Sequence, residues 1–202
     1  MLDRYMRGVK EAVLRPIFIL LKDYHPLWFT LFGLLFGIAT AFAAYTQFYW
    51  LAFLFWVISR IFDAIDGGVA RYANRQSDLG GYLDIVIDHI VYAIIPIGIV
   101  LGAPSNFGYT MLALLLTTFY VNGASWMYLS AILEKRAAGA ATRGEQTSVT
   151  MPEGLIGGSE TIIFYSAFVL FANWYPWLFA AMGFLVVITI IQRIPWAVRE
   201  LQ

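Results

Sequence analysis

The chain alternates long apolar runs with short polar joints. The runs fall at residues 27–46, 48–66, 79–101, 108–131, 160–173 and 175–194. Most approach the roughly 20 residues that an α-helix needs to cross a hydrocarbon core about 30 Å thick. Inside a bilayer every backbone polar group must find its partner within the protein, which makes helices the natural form for such runs. The pattern therefore predicts an all-α, polytopic membrane protein of six transmembrane helices. The fifth run is the shortest and reaches ordinary length only by starting near Leu155 or continuing through Asn173.

Ahead of the first run the pattern changes. Leu2, Tyr5, Met6, Val9, Val13 and Ile17 recur at helical spacing while Arg4, Arg7 and Lys10 take another side. This predicts an amphipathic juxtamembrane helix within residues 1–24, lying at the membrane surface. Charged residues from Asp3 to Arg15 interrupt any apolar core before Lys22, so the segment does not read as a cleaved secretory signal. From Glu134 to Glu153 the chain is rich in Ala, Gly and Thr with mixed charge, the one stretch that resembles a soluble loop. No fixed-period repeat is evident. A single membrane domain over 1–202, with the six-helix bundle over 27–200, is the expected organisation.

Composition adds exclusions. With 60% hydrophobic and 13% charged residues, the chain has too little polar content to coat a water-soluble globule. Its 13 basic and 13 acidic residues cancel, which argues against a nucleic-acid partner held by a strongly basic surface. With no cysteine, the sequence offers neither a thiolate nucleophile nor a cysteine metal site. The placement of charge says more. Every Lys and Arg lies before run one, near the end of run two, after run four, or near the carboxyl terminus, whereas the joints at 45–47, 102–106 and 172–176 carry no charge. Short cytoplasmic segments keep their Lys and Arg, so both termini and the joint after run two are expected in the cytoplasm. Trp50, Trp126, Trp174, Trp177 and Trp196 sit near run ends, as interfacial anchors do.

Four carboxylates break the apolar pattern. Asp63 and Asp66 stand at i and i+3 on the end of run two, and Asp84 and Asp88 at i and i+4 on the start of run three. Each pair shares a helix face, and an antiparallel helix pair brings all four to one depth. An aspartate at the centre of a membrane helix costs roughly 2.5–3.5 kcal/mol, so the cluster calls for a cation. Hard divalent ions suit an all-oxygen donor set, and paired ions are a recurrent device for displacement at phosphorus. Four carboxylates, Arg60, Arg71, two divalent ions and a substrate pyrophosphate would together be neutral.

Asp63, Asp66, Gly67, Ala70, Arg71, Gly80, Asp84 and Asp88 match, in type and spacing, the signature of the CDP-alcohol phosphotransferase family, which the chain thus resembles. The resemblance implies transfer of a substituted phosphate group from a CDP-alcohol, expected to be CDP-diacylglycerol, to an acceptor alcohol with release of CMP in phospholipid biosynthesis. It implies that Asp63, Asp66 and Asp84 ligate metal, and that Asp88 is a further ligand and the base that takes the hydroxyl proton. Asp66, Gly67, Ala70, Arg71 and Gly80 would bind the CDP-alcohol. Two Mg2+ or Mn2+ ions and a homodimer also follow from the resemblance.

Pro26 is followed by Leu27 where many family members carry Pro-Asn, although Thr30 is retained. The segment Gly154 to Thr161 is similar to one in a bacterial inner-membrane branch, which makes that membrane the expected location. Arg60 and Glu160 are candidates for binding the acceptor; Arg60 could instead serve as a counter-ion to the cluster, and Glu160 as a favourable charge at a helix start. His25 and His89 read as interfacial or packing residues. Two other functions fit the same residues: a CDP-linked small alcohol as donor with diacylglycerol as acceptor, or a non-enzymatic cation carrier.

Overall fold

A computed structural model describes residues 13–143, 150 and 154–202, and among these it is helical with no strands. The main helices are α1 (Leu27–Tyr45), α2 (Tyr49–Tyr72), α3 (Asp78–Gly102), α4 (Asn106–Lys135), α5 (Gly158–Leu170) and α6 (Tyr175–Leu201). Side-chain caps fix two of the starts. The hydroxyl oxygens of Ser77 and Ser105 accept from the amides of Gly80 and Gly108 at 3.1 and 2.9 Å, satisfying donors that the first helical turn leaves free. Gln47 and Asn74, with φ of 62° and 52°, turn the chain in the left-handed region after α1 and α2.

The described residues contain 4 helices long and apolar enough to cross a membrane: α1, α3, α4 and the stretch Ala172–Leu201 that includes α6. The remaining two fall short of the six-span expectation for different reasons. Helix α2 has the length, 24 residues, but carries Arg60, Asp63, Asp66 and Arg71. Helix α5 is apolar but has only 13 residues, or about 20 Å at 1.5 Å per residue. It does not run through Asn173, because the chain breaks into a 3-10 turn over Ala172–Trp174.

Helix α1 packs extensively on both α2 and α3, and α4 packs on α6, while α5 bridges α2 and α6. Small residues set the α1–α3 distance. A Cβ built on Gly98 would strike the carbonyl of Ala41, and one on Gly37 would strike Val91. The Ser59 hydroxyl donates to the Gly33 carbonyl at 2.8 Å, tying α2 to α1. The core between the helices holds Trp56, Ile95, Ile99, Leu115, Phe168, Phe179 and Met182. Within α3, Pro96 has no N–H to offer the carbonyl of Tyr92. The Tyr165 hydroxyl from α5 donates to that oxygen instead.

A helical segment over 13–21 precedes α1. Its Leu14, Phe18 and Leu21 pack against Phe29, Phe62, Ile65 and Val69, and Gly68 leaves room for the Phe18 ring. Val13 and Leu20 point outward. The amphipathic helix expected from the sequence thus has a second apolar face toward the bundle, and its residues 1–12 lie outside the described residues. Beyond α4, the soluble-like stretch contains a helical turn at Ala140–Arg143.

Candidate active site

Asp63 and Asp66 lie two turns or so before the end of α2, and Asp84 and Asp88 a similar distance into α3. Because the two helices run antiparallel, the four meet at one level. Asp66 feels the charges of Asp63 and Asp84, and Asp88 feels those of Asp63 and Asp84. Burial is uneven: Asp66 is only 6% exposed, whereas the Asp63 and Asp88 side chains are 24% and 27% exposed. The Thr30 hydroxyl from α1 stands beside Asp66, whose carboxylate also accepts from the Gly67 amide.

The small residues of the motif have distinct surroundings. A Cβ on Gly67 would come within 3.2 Å of an Arg71 guanidinium nitrogen, so Arg71 folds back over this glycine. A Cβ on Gly80 would meet only the Ser77 hydroxyl, at 3.1 Å. Ala70 is half-buried on α2, one residue before Arg71.

Arg60 reaches the acidic cluster directly. Its Nη1 lies 2.8 Å from Asp88 Oδ1 and 3.6 Å from Asp63 Oδ1. Glu160 is placed elsewhere: its carboxylate accepts from the Gly157 amide at 3.1 Å and closes the first turn of α5. His89 Nδ1 donates to the Ile85 carbonyl at 2.7 Å, and His25 Nδ1 accepts from the Leu27 amide at 3.3 Å.

Among the described residues, no three His, Cys, Asp or Glu side chains converge as a ready-made metal cage. The donor set nevertheless suits a hard divalent ion, since it consists of carboxylate oxygens within electrostatic range of one another. Asp63, Asp66, Asp84 and Asp88 are the residues that would hold one.

Arg193 is the polar residue that sequence reasoning passed over. It is 5% exposed, and its Nη1 donates to the Asn122 carbonyl at 3.3 Å, the Asn122 side-chain oxygen at 3.0 Å and the Ser125 hydroxyl at 3.4 Å. All three partners are neutral. Read from sequence, it was one of the cytoplasmic charges near the chain's end. Its position inside the last apolar run was the overlooked signal, because a charge within a span usually faces the bundle interior. Gly123, next to Asn122, faces His89, next to Asp88, which sets Arg193 near the depth of the acidic cluster.

A family model for CDP-alcohol phosphatidyltransferase matches residues 23–192. The chain is 28% identical over 198 residues to inner membrane protein YnjF of Escherichia coli (strain K12), covering 96% of this chain and 94% of that protein. It is 34% identical over 86 residues to the archaetidylinositol phosphate synthase of Pyrococcus horikoshii, covering 43% of this chain and 46% of that enzyme. The family match contains all four aspartates and most of the helical bundle, and the chain therefore belongs to the CDP-alcohol phosphatidyltransferase family of membrane transferases.

Proposed function

We propose that this protein transfers a phosphatidyl group from CDP-diacylglycerol to an acceptor alcohol and releases CMP. The observation that carries the reading is the meeting of Asp63, Asp66, Asp84 and Asp88 at one level of α2 and α3, within a family of this chemistry. Two Mg2+ or Mn2+ ions held by these carboxylates would neutralise the pyrophosphate and the departing CMP. Asp88 takes the proton of the acceptor hydroxyl, which is a weak nucleophile at neutral pH. The acceptor oxygen bonds to the phosphorus farther from cytidine, and the bond from that phosphorus to the CMP oxygen breaks. Arg71 pairs with a donor phosphate, and Gly67, Ala70 and Gly80 let the nucleotide approach the backbone.

The acceptor is proposed to be anionic. Arg193 is a buried cation with neutral partners near the depth of Asp88, a setting that favours a bound anion. Similarity to an enzyme named for an inositol phosphate product supports the same view. Six spans, a cytoplasmic active site with both termini on that side, a homodimeric assembly and a place in the bacterial inner membrane complete the proposal. The one-sided distribution of Lys and Arg supports the orientation, and the inner-membrane relative supports the location.

The test is to incubate purified protein with CDP-diacylglycerol, Mg2+ or Mn2+ and a panel of serine, glycerol phosphate, inositol, inositol phosphate and choline. CMP release with one of the phosphate-bearing acceptors is expected. Release only with a CDP-linked small alcohol and diacylglycerol would reverse donor and acceptor, and no CMP from any pair would sink the reading.

A further inference from the structure

Arg60 is held from several sides. Besides its contacts with Asp88 and Asp63, Nη1 lies 3.3 Å from the Tyr92 hydroxyl, and Nη2 donates to the Ser59 hydroxyl at 3.2 Å. The guanidinium carbon sits 4.8 Å from the Trp56 ring centre and 5.4 Å from that of Tyr92. Those rings are themselves fixed. Trp56 Nε1 donates to the Ser166 hydroxyl at 3.1 Å, and Tyr165 holds the Tyr92 backbone. With 8% exposure, direct contacts on α2 and α3, and α5 bracing the rings beside it, this is not a side chain reaching for the membrane surface.

The fixed charge bears on the carboxylates beside it. A divalent ion binds carboxylate oxygens at about 2.0–2.1 Å if it is Mg2+, so an ion on Asp63 or Asp88 would lie within a few ångströms of the guanidinium. Like charges at that separation repel, and Asp88 Oδ1 already accepts from Nη1 at 2.8 Å. The guanidinium and the metal therefore draw on the same oxygens.

We propose that Arg60 is a resident counter-cation that competes with the divalent ion for Asp63 and Asp88 and weakens metal binding by the free protein. This positioning role rests on the metal-dependent reading above. It makes full loading depend on the donor, whose pyrophosphate brings the negative charge that offsets Arg60. Metal and CDP-alcohol then bind synergistically.

The experiment is a Mn2+ titration of the full chain in detergent, without nucleotide, with free Mn2+ read by electron paramagnetic resonance. Arg60→Met is expected to bind Mn2+ about tenfold tighter or more, and Arg60→Lys, which keeps the charge, to stay within about threefold of wild type. Arg60→Gln replaces Arg60→Met if the latter is not monodisperse. Equal or weaker Mn2+ binding by the neutral variant overturns the proposal, since a purely structural role would not tighten metal binding on removal. Equal tightening by Arg60→Lys also overturns it, because charge would not be the cause. CMP release is a separate reading: its absence in wild type would remove the proposed transfer reaction and leave the Mn2+ comparison to stand or fall by itself.

Discussion

Tyr165 donates its hydroxyl to the main-chain carbonyl of Tyr92, the oxygen that Pro96 leaves without a helical partner. The same tyrosine ring stacks on Trp56 at 5.4 Å and packs on Tyr92 at 5.1 Å. One hydroxyl thus repairs a gap in α3 and braces both rings around Arg60.

Tyr165→Phe should cost about 1–3 kcal/mol, the penalty for a buried acceptor left unpaired. The loss should shrink when Pro96→Ala is already present, because alanine restores the N–H that Tyr92 lacks. A double-mutant cycle of unfolding free energies in mixed micelles measures the coupling, and additive effects would contradict this account.

Asp84→Asn and Asp88→Asn should each lower the rate of CMP release by about 10²–10⁴-fold, the scale of losing a catalytic base or a stabiliser of developing charge. Both variants should stay folded, as checked by circular dichroism and monodispersity in detergent. Unchanged release in either would remove that residue from the chemistry.

Gly98→Ala and Gly183→Ala should part company. The first sets a methyl against the Ala41 backbone carbonyl and should cost about 1–3 kcal/mol. The second meets its nearest neighbours at 3.7–3.9 Å and should be neutral or stabilising by up to about 1 kcal/mol through helix propensity. Thermal unfolding of the two variants in one detergent makes the comparison.

Arg193→Met should raise the KM for a phosphate-bearing acceptor about tenfold or more while changing the KM for CDP-diacylglycerol little, as expected for loss of a charge-assisted contact to one substrate. Initial rates with each substrate varied in turn provide the check. Equal changes in both constants would remove Arg193 from acceptor recognition.

Much of this architecture was legible in the sequence because bilayer constraints are severe. Six runs correspond to six helices, of which 4 are long and apolar enough to span among the described residues, and the i, i+3 and i, i+4 spacing puts each pair of aspartates on one helix face. Hydropathy misled where charge and helix coexist: run two ends at Asp66, yet α2 continues to Tyr72 through Gly67 and Gly68. The end of α5 was not legible either, since the break after Leu170 is a backbone event amid apolar residues. The surroundings of Arg60 were hidden for another reason. Trp56, Tyr92 and Tyr165 lie on three different helices, and only packing brings them together.

The unequal packing of the helices has an evolutionary consequence. All four aspartates and Arg60 ride on α2 and α3, both packed chiefly on α1, while Arg193 lies on α6, which packs chiefly on α4. If Arg193 binds the acceptor as proposed, substitutions in that pair would alter which alcohol is accepted with little effect on the spacing of the carboxylates. Such a division would let a lineage retain one way of activating its donor while its products diversify.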